Sequence, residues 1–223
     1  MRPQIIASTL ALAALLSLGA CNKPAAAPGA DSAAAPVTAA ATNVLDCEGP
    51  FGPDASKASL SEFFGAANVV DMNVDGPEGT TNSATVLFPN DPARRVEVLW
   101  QDEQARQQPS NIEIKGASSW VGPKGLKIGS SLEDVEKANG KPFKMSGFGW
   151  DYGGYVTDWG GGAFAPKDDV DNACIVMINF NTSDGAPTEK VQGDKSFDSS
   201  DPAMRAAKPT IYSIAVGYRS PND

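Results

Sequence analysis

The chain contains no histidine. That removes both the commonest general base and the commonest metal ligand. Cysteine is scarce, three residues in 223. No two cysteines stand in a C-x-x-C pair, so thioredoxin-type exchange and a zinc shell lack their residues. Clustered basic side chains are missing too; Arg94-Arg95 is the densest basic spot, and it sits inside a strand pattern. With 18 Lys and Arg against 27 Asp and Glu, the net charge is −9 and the pI is near 4.5. Such a chain has no cationic surface for phosphate backbones, which excludes nucleic acid as a partner. A long apolar run is also absent: residues 5–18 are apolar but too short for an ordinary membrane-spanning helix.

What is present begins with an address. "MRPQIIASTLALAALLSLGAC" places Arg2 before that apolar run and small residues after it, as in a secretory signal. Its end, Leu18-Gly19-Ala20-Cys21, resembles the bacterial lipobox. The resemblance implies cleavage after residue 20 and acylation of Cys21 with palmitate-type chains. Each buried methylene adds about 0.8 kcal/mol, so several chains anchor firmly. Asn22 follows where an Asp would favour inner-membrane retention, so the expected destination is the outer membrane, facing the periplasm. Residues 22–43, "NKPAAAPGADSAAAPVTAAATN", carry no bulky apolar periodicity, and Pro24, Pro28 and Pro36 oppose a helix. With Cys21 they read as a disordered tether, residues 21–43.

Assigning Cys21 to lipid leaves Cys47 and Cys174, in a compartment where disulfides persist. The sequence predicts that they pair.

Residues 44–122 and 123–223 share one plan. In the first, Ser59 precedes Glu62 by three residues; in the second, Ser130 precedes Glu133. Both spacings fit a capping box that opens a short helix. Leu60 with Phe63, and Leu132 with Val135, give each helix an apolar stripe, and Gly65 and Gly140 supply the stops. Strand patterns follow at 68–74, 83–88, 94–100 and 111–115, then at 143–152, 155–163, 173–181 and 210–218. "CIVMINF" is nearly all apolar, as a central strand buried on both faces would be. The polar stretch 182–208 reads as a loop with a little helix near 201–207. The expected fold class is α+β: two tandem units, each a short helix plus about four antiparallel strands.

The phrase "GLKIGSSLEDVEKANGKPF", residues 125–143, resembles the helix entry of small bacterial envelope lipoproteins of the SmpA/OmlA type. Two such units in tandem resemble the beta-lactamase inhibitor protein architecture. The resemblance implies an envelope lipoprotein built for protein contacts, not an active site, and the residues themselves predict no cofactor and no metal. The second half departs from it through the long 182–208 insertion, and the first lacks a Gly-x-Pro stop.

Candidates for chemistry are few. A Ser–Lys pair would draw on Ser130, Ser131 and Lys137, but the serines sit where a helix cap occupies their oxygens. Asp151 and Asp158, on facing strands, resemble a glycosidase pair only in spacing, and exposed aspartates of this kind are usually solvated. "KDDVDN", residues 167–172, offers Asp169 and Asp171 for calcium but lacks the central glycine and the terminal Glu. The Gly-rich stretches precede no Walker lysine or Rossmann helix.

The densest aromatic stretch is "SGFGWDYGGYVTDW", residues 146–159. A two-residue turn at Gly153-Gly154 would set Tyr152 opposite Tyr155, Trp150 opposite Thr157 and Phe148 opposite Trp159. Period-two alternation would then gather Phe148, Trp150, Tyr152, Tyr155 and Trp159 on one face. Packed beneath the helix bearing Leu132 and Val135, that face is core; left exposed, it is a platform for an envelope protein or, alternatively, for a glycan such as peptidoglycan.

Overall fold

A computed structural model of the chain describes residues 43–167 and 173–219. The lipobox, Cys21, nearly all of the tether, and Asp169 and Asp171 of the acidic loop lie outside the described residues. The described elements belong to one compact unit, Ala39–Asp223.

The entry segment runs through a turn of 3-10 helix, Gly49–Phe51, into α1, Lys57–Phe64. Ser56 caps α1: its hydroxyl accepts from Ser59 N at 3.1 Å, and Ser59 Oγ accepts from Ser56 N at 2.9 Å. The cap therefore lies one turn before the expected Ser59. The stripe shifts with it, since Leu60 and Phe64 are buried while Phe63 is exposed. Alternating Val, Asp, Asn and Thr then build an antiparallel meander: β1 (Val69–Asp75), β2 (Thr81–Leu87), β3 (Val96–Asp102) and β4 (Gln107–Lys115).

In α2, Leu132–Asn139, the cap is Ser131 with Asp134, one residue beyond the expected pair, and Gly140 closes the helix in the left-handed region. Past it the chain forms β5 (Lys144–Ser146), β6 (Val156–Asp158), β7 (Cys174–Asn181), β8 (Ser196–Asp198), α3 (Pro202–Ala207) and β9 (Thr210–Tyr218). The fold is thus α+β, with three α-helices and two antiparallel sheets among the described residues.

The larger sheet has the order β1-β2-β3-β4-β9-β7; the smaller is β6-β5-β8. Strands β4 and β9 pair directly, Ile112 with Val216 and Ile114 with Ile214. Both parts of the chain therefore contribute to one sheet. Strand β7 stands at its edge rather than at its centre. Its Val176, Ile178 and Phe180 are buried in the main core, and a segment docks on its outer side, where Phe180 N donates to Gly154 O at 2.9 Å.

One face of the large sheet carries Val96, Val98, Ile112, Ile114, Ile178, Ile214 and Val216, all buried. All three helices feed the same cluster, through Leu60 and Phe64, Leu132 and Val135, and Met204 and Ala207. Each such aliphatic side chain contributes roughly 1.5–3 kcal/mol on burial. The entry segment is held twice, to the start of β7 and to the end of β9, which pair at Cys174 and Tyr218. Cys47 and Cys174 form a disulfide with Cα atoms 5.8 Å apart. Beside it, the Tyr218 hydroxyl shares its proton between Cys47 O (3.0 Å) and Phe51 O (2.9 Å).

Candidate functional site

The second face of the large sheet differs in character. Period-two alternation puts Val70, Met72, Val74, Ala84, Val86 and Leu99 on it at one end, where Val74, Ala84 and Val86 form a separate small cluster with Leu99 against them. Toward the middle it carries Glu97, Glu113 and Lys115. Lys115 Nζ lies 2.8 Å from Glu97 Oε2 and 3.6 Å from Glu113 Oε2, and Arg95 Nε lies 2.9 Å from Glu97 Oε1. Burial opposes the charge on Lys115, but the Glu97 hydrogen bond and the two carboxylates outweigh it and hold the ammonium above the ordinary lysine range.

Over this centre hangs the aromatic stretch, and it is not the hairpin its spacing suggests. The strands meet only at Lys144 with Asp158 and Met145 with Val156, with a bulge between them. Residues 147–154 leave the ladder as a loop. Gly149 and Gly154 adopt φ of 85° and 77°, outside the strand region, so period two is lost there. The five rings consequently separate. Phe148 and Trp159 are core residues, each 6% exposed. Trp159 packs on Phe143 and Phe164, with centroids 5.4 and 5.0 Å away, and donates from Nε1 to Val176 O at 3.1 Å. Trp150, Tyr152 and Tyr155 are exposed, Tyr152 at 43%. The expectation of one common face fails because the loop turns twice through positive φ.

The loop is nonetheless fixed. Phe148 N donates to Val191 O (2.8 Å) and Gly193 N to Phe148 O (2.9 Å). The Ser146 hydroxyl donates to Tyr152 O (2.6 Å) and accepts from Tyr155 N (3.1 Å). Trp150 Nε1 donates to Gly147 O (2.9 Å), and Asn179 Nδ2 to Gly153 O (2.8 Å). A β-carbon on Gly154 would run into the Phe180 carbonyl, so only glycine permits this approach. Exposed rings on so well anchored a loop lose little freedom on binding.

Together the loop and the sheet enclose a trough of about 480 Å³. Its floor is Glu97, Leu99, Glu113, Lys115 and Ala215; Asp151, Tyr152, Tyr155 and Tyr212 wall one side, and Asp75–Pro77 the other. Burial first, then the Glu113 carboxylate, pushes the Tyr155 phenol above the ordinary tyrosine range, against the pull of Lys115. Tyr212 has no counterpart among the expected site residues. It is extruded at the β7–β9 irregularity, where Asn179 pairs Ser213 and Phe180 pairs Ile211. The break in alternation between Ile211 and Ile214 is its only sequence signal.

Compared with known proteins, the chain matches no family model, no curated protein and no solved structure.

The candidates for chemistry fall apart in space. Ser131 is bound to Asp134, and Ser130 Oγ accepts from Lys127 N at 3.1 Å. Asp158 pairs across β5 and accepts from Gly160 N at 2.7 Å, whereas Asp151 lies in the loop, so they are not cross-strand neighbours. Among the described residues no three His, Cys, Asp or Glu side chains are grouped to hold a metal ion. Cys47 and Cys174 are spent on the disulfide.

Proposed function

We infer that this chain is a lipid-anchored protein of the bacterial envelope, held at Cys21 on the outer membrane and facing the periplasm, whose folded part binds another envelope protein. The lipobox-like sequence supports the anchor. The observation that carries the binding role is the rigid loop presenting Trp150, Tyr152 and Tyr155 beside an open sheet face. Protein interfaces favour Tyr, Trp and Met at their centre with charges around them, and this face offers Tyr152, Tyr155, Tyr212 and Met177 beside the Glu97–Lys115 pair. Catalysis has less support, since the two carboxylates that converge in the trough, Glu97 and Glu113, are tied up with Lys115 and Arg95.

The tandem reading, related to SmpA/OmlA-type and beta-lactamase inhibitor protein-like folds, belongs to the same proposal. Its support is two eight-residue helices, each opened by a capping box, with strands following each. Glycan binding is the second reading. Trp150, Tyr152 and Tyr155 also line a cleft of about 360 Å³ with Ser146, Thr157 and Asp194. Against it, Trp150 and Tyr152 stand at 60° to each other rather than forming one flat platform.

The test is photo-cross-linking of the full chain in its native envelope from a probe at Tyr212, with and without Tyr152→Ala and Tyr155→Ala. A protein adduct lost in the double variant, at unchanged melting temperature, is expected. Adducts confined to peptidoglycan would overturn the protein reading in favour of the glycan one.

A further inference from the structure

The two edges of the large sheet are treated differently. On the β7 side, Gly154 and the Tyr155–Asn179 bridge cover the outer strand. On the β1 side, no strand among the described residues pairs with the outer edge. Such an edge is normally blunted by proline, lysine or a bulge. Strand β1, "VVDMNVD", has no proline, lysine or bulge, its two acids are Asp71 and Asp75, and its pairing with β2 is regular over all seven residues.

The phase of the free edge is defined. Phe88 N donates to Asn68 O and Gly76 N to Thr80 O, both at 2.8 Å, bracketing the ladder. Alternation then turns the N–H and C=O of Val70, Met72 and Val74 toward β2, and those of Val69, Asp71, Asn73 and Asp75 outward. The side chains of Val70, Met72 and Val74 line the open face, and Val70 and Met72 are exposed.

We propose that β1 pairs antiparallel with β1 of a second copy, about a two-fold axis at Met72. The sequence is self-complementary in that register. Val70 meets the second copy's Val74, Met72 meets Met72, Asp71 meets Asn73, and Asp75 meets Val69. No like charges stand opposite, the apolar row is matched along its length, and every outward N–H and C=O finds a partner. A shift of one residue would centre the axis between Asp71 and Met72 or between Met72 and Asn73, and would set residues whose N–H and C=O point outward against residues that turn theirs toward β2, so the ladder could not form. The chain is acidic overall, but Asp71 is neutralised within its own copy by Lys57 Nζ at 2.7 Å and Arg106 Nε at 3.6 Å. The proposal does not depend on the protein-binding role of the trough.

The experiment is sedimentation of the full chain in detergent, with three variants. Wild type should reach a dimer mass. Met72→Lys sets two ammonium groups opposite each other and should weaken the dimer at least about tenfold, with an unchanged circular-dichroism spectrum because Met72 is exposed. Met72→Cys should link to itself on oxidation, since cross-strand pairs without hydrogen bonds hold Cα atoms roughly 4.5 Å apart. Asn73→Cys, which faces Asp71, should not. A monomer mass up to concentrations on the order of 0.1 mM, a dimer indifferent to Met72→Lys, or equal linking by both cysteines would overturn the proposal.

Discussion

The division of the aromatic loop into core and surface makes a quantitative demand. Phe148 is 6% exposed and lies in the main core cluster, so Phe148→Ala removes a ring and leaves a cavity. Such truncations cost about 3–5 kcal/mol. For a unit of this size each kcal/mol lowers the melting temperature by roughly 2–4 °C, so a fall of about 6–20 °C is expected. Tyr152 stands four residues away and is 43% exposed. Its ring touches Trp150, at 5.5 Å between centroids, while its contribution to the loop's anchoring is its carbonyl, which accepts from Ser146. Alanine keeps that carbonyl, so Tyr152→Ala should cost less than about 1 kcal/mol. Thermal melts followed by circular dichroism measure both. Equal losses for the two variants would refute the partition, and with it the claim that Tyr152 is available to a partner. A loss at Tyr152 alone would mean that the loop is inverted relative to this structure.

Other expectations follow from the same contacts. Cys47→Ser opens a loop of sequence separation 127; the chain-entropy model sets the cost at about 5 kcal/mol at most, and a melt unchanged from wild type would contradict it. Gly154→Ala places a β-carbon against the Phe180 carbonyl at φ 77°; a loss of at least about 1–2 kcal/mol should be accompanied by faster protease cleavage within residues 147–154, and an unaltered cleavage pattern would mean that the loop does not dock on β7. Burial and the nearby Asp46 push Tyr218 up to about 12, against about 10 in the unfolded chain. The folded state therefore holds its phenolic proton longer, and that stability, present below pH of about 10, is lost as pH rises toward 12. Lys115, raised as well, acts in the same direction. Ultraviolet titration should show a tyrosine ionising at about 12 whose signal disappears in Tyr218→Phe, and ionisation of that group at about 10 would refute the buried hydroxyl.

How much of this was legible depended on whether local pattern and tertiary context agreed. Strand β9 was readable with its bounds, and β1 to β4 within a few residues, because alternating β-branched residues lie between Gly and Pro turns. The pairing of Cys47 with Cys174 followed from elimination. The caps slipped because serine recurs at 56, 59 and 61, and again at 130 and 131, so several registers satisfy one rule. Strand β8 was invisible: Ser196–Asp198 has no apolar periodicity, and its place is set by pairing with Lys144–Ser146. "CIVMINF" read as central because apolarity reports burial, not neighbours, and here an edge strand buries Val176, Ile178 and Phe180 in the core while a loop covers its outer side. The aromatic stretch was legible as a dense group of rings, but the choice of inward rings depended on two glycines at positive φ. Glu97 and Lys115 went unnoticed because residues 18 apart in sequence meet only once β3 and β4 pair.

The two surfaces are coupled by sheet geometry. Residues directly opposite across an antiparallel ladder project from the same side. A two-fold at Met72 is therefore perpendicular to the sheet, and the open faces of both copies point the same way. Strand β1, the outermost strand of each copy, becomes the middle of a continuous face, and the two aromatic troughs lie on either side of it. The exposed Val70 and Met72 form its apolar centre, where an isolated copy would leave them in water. A partner that is itself two-fold symmetric, or repeated along a surface, would then meet two troughs at a fixed separation. The second contact becomes intramolecular, and modest affinity at each trough multiplies without any new contact. Met72→Lys, outside the trough lining, would then weaken capture of a repeated partner while leaving a single trough intact, which distinguishes loss of pairing from loss of the site.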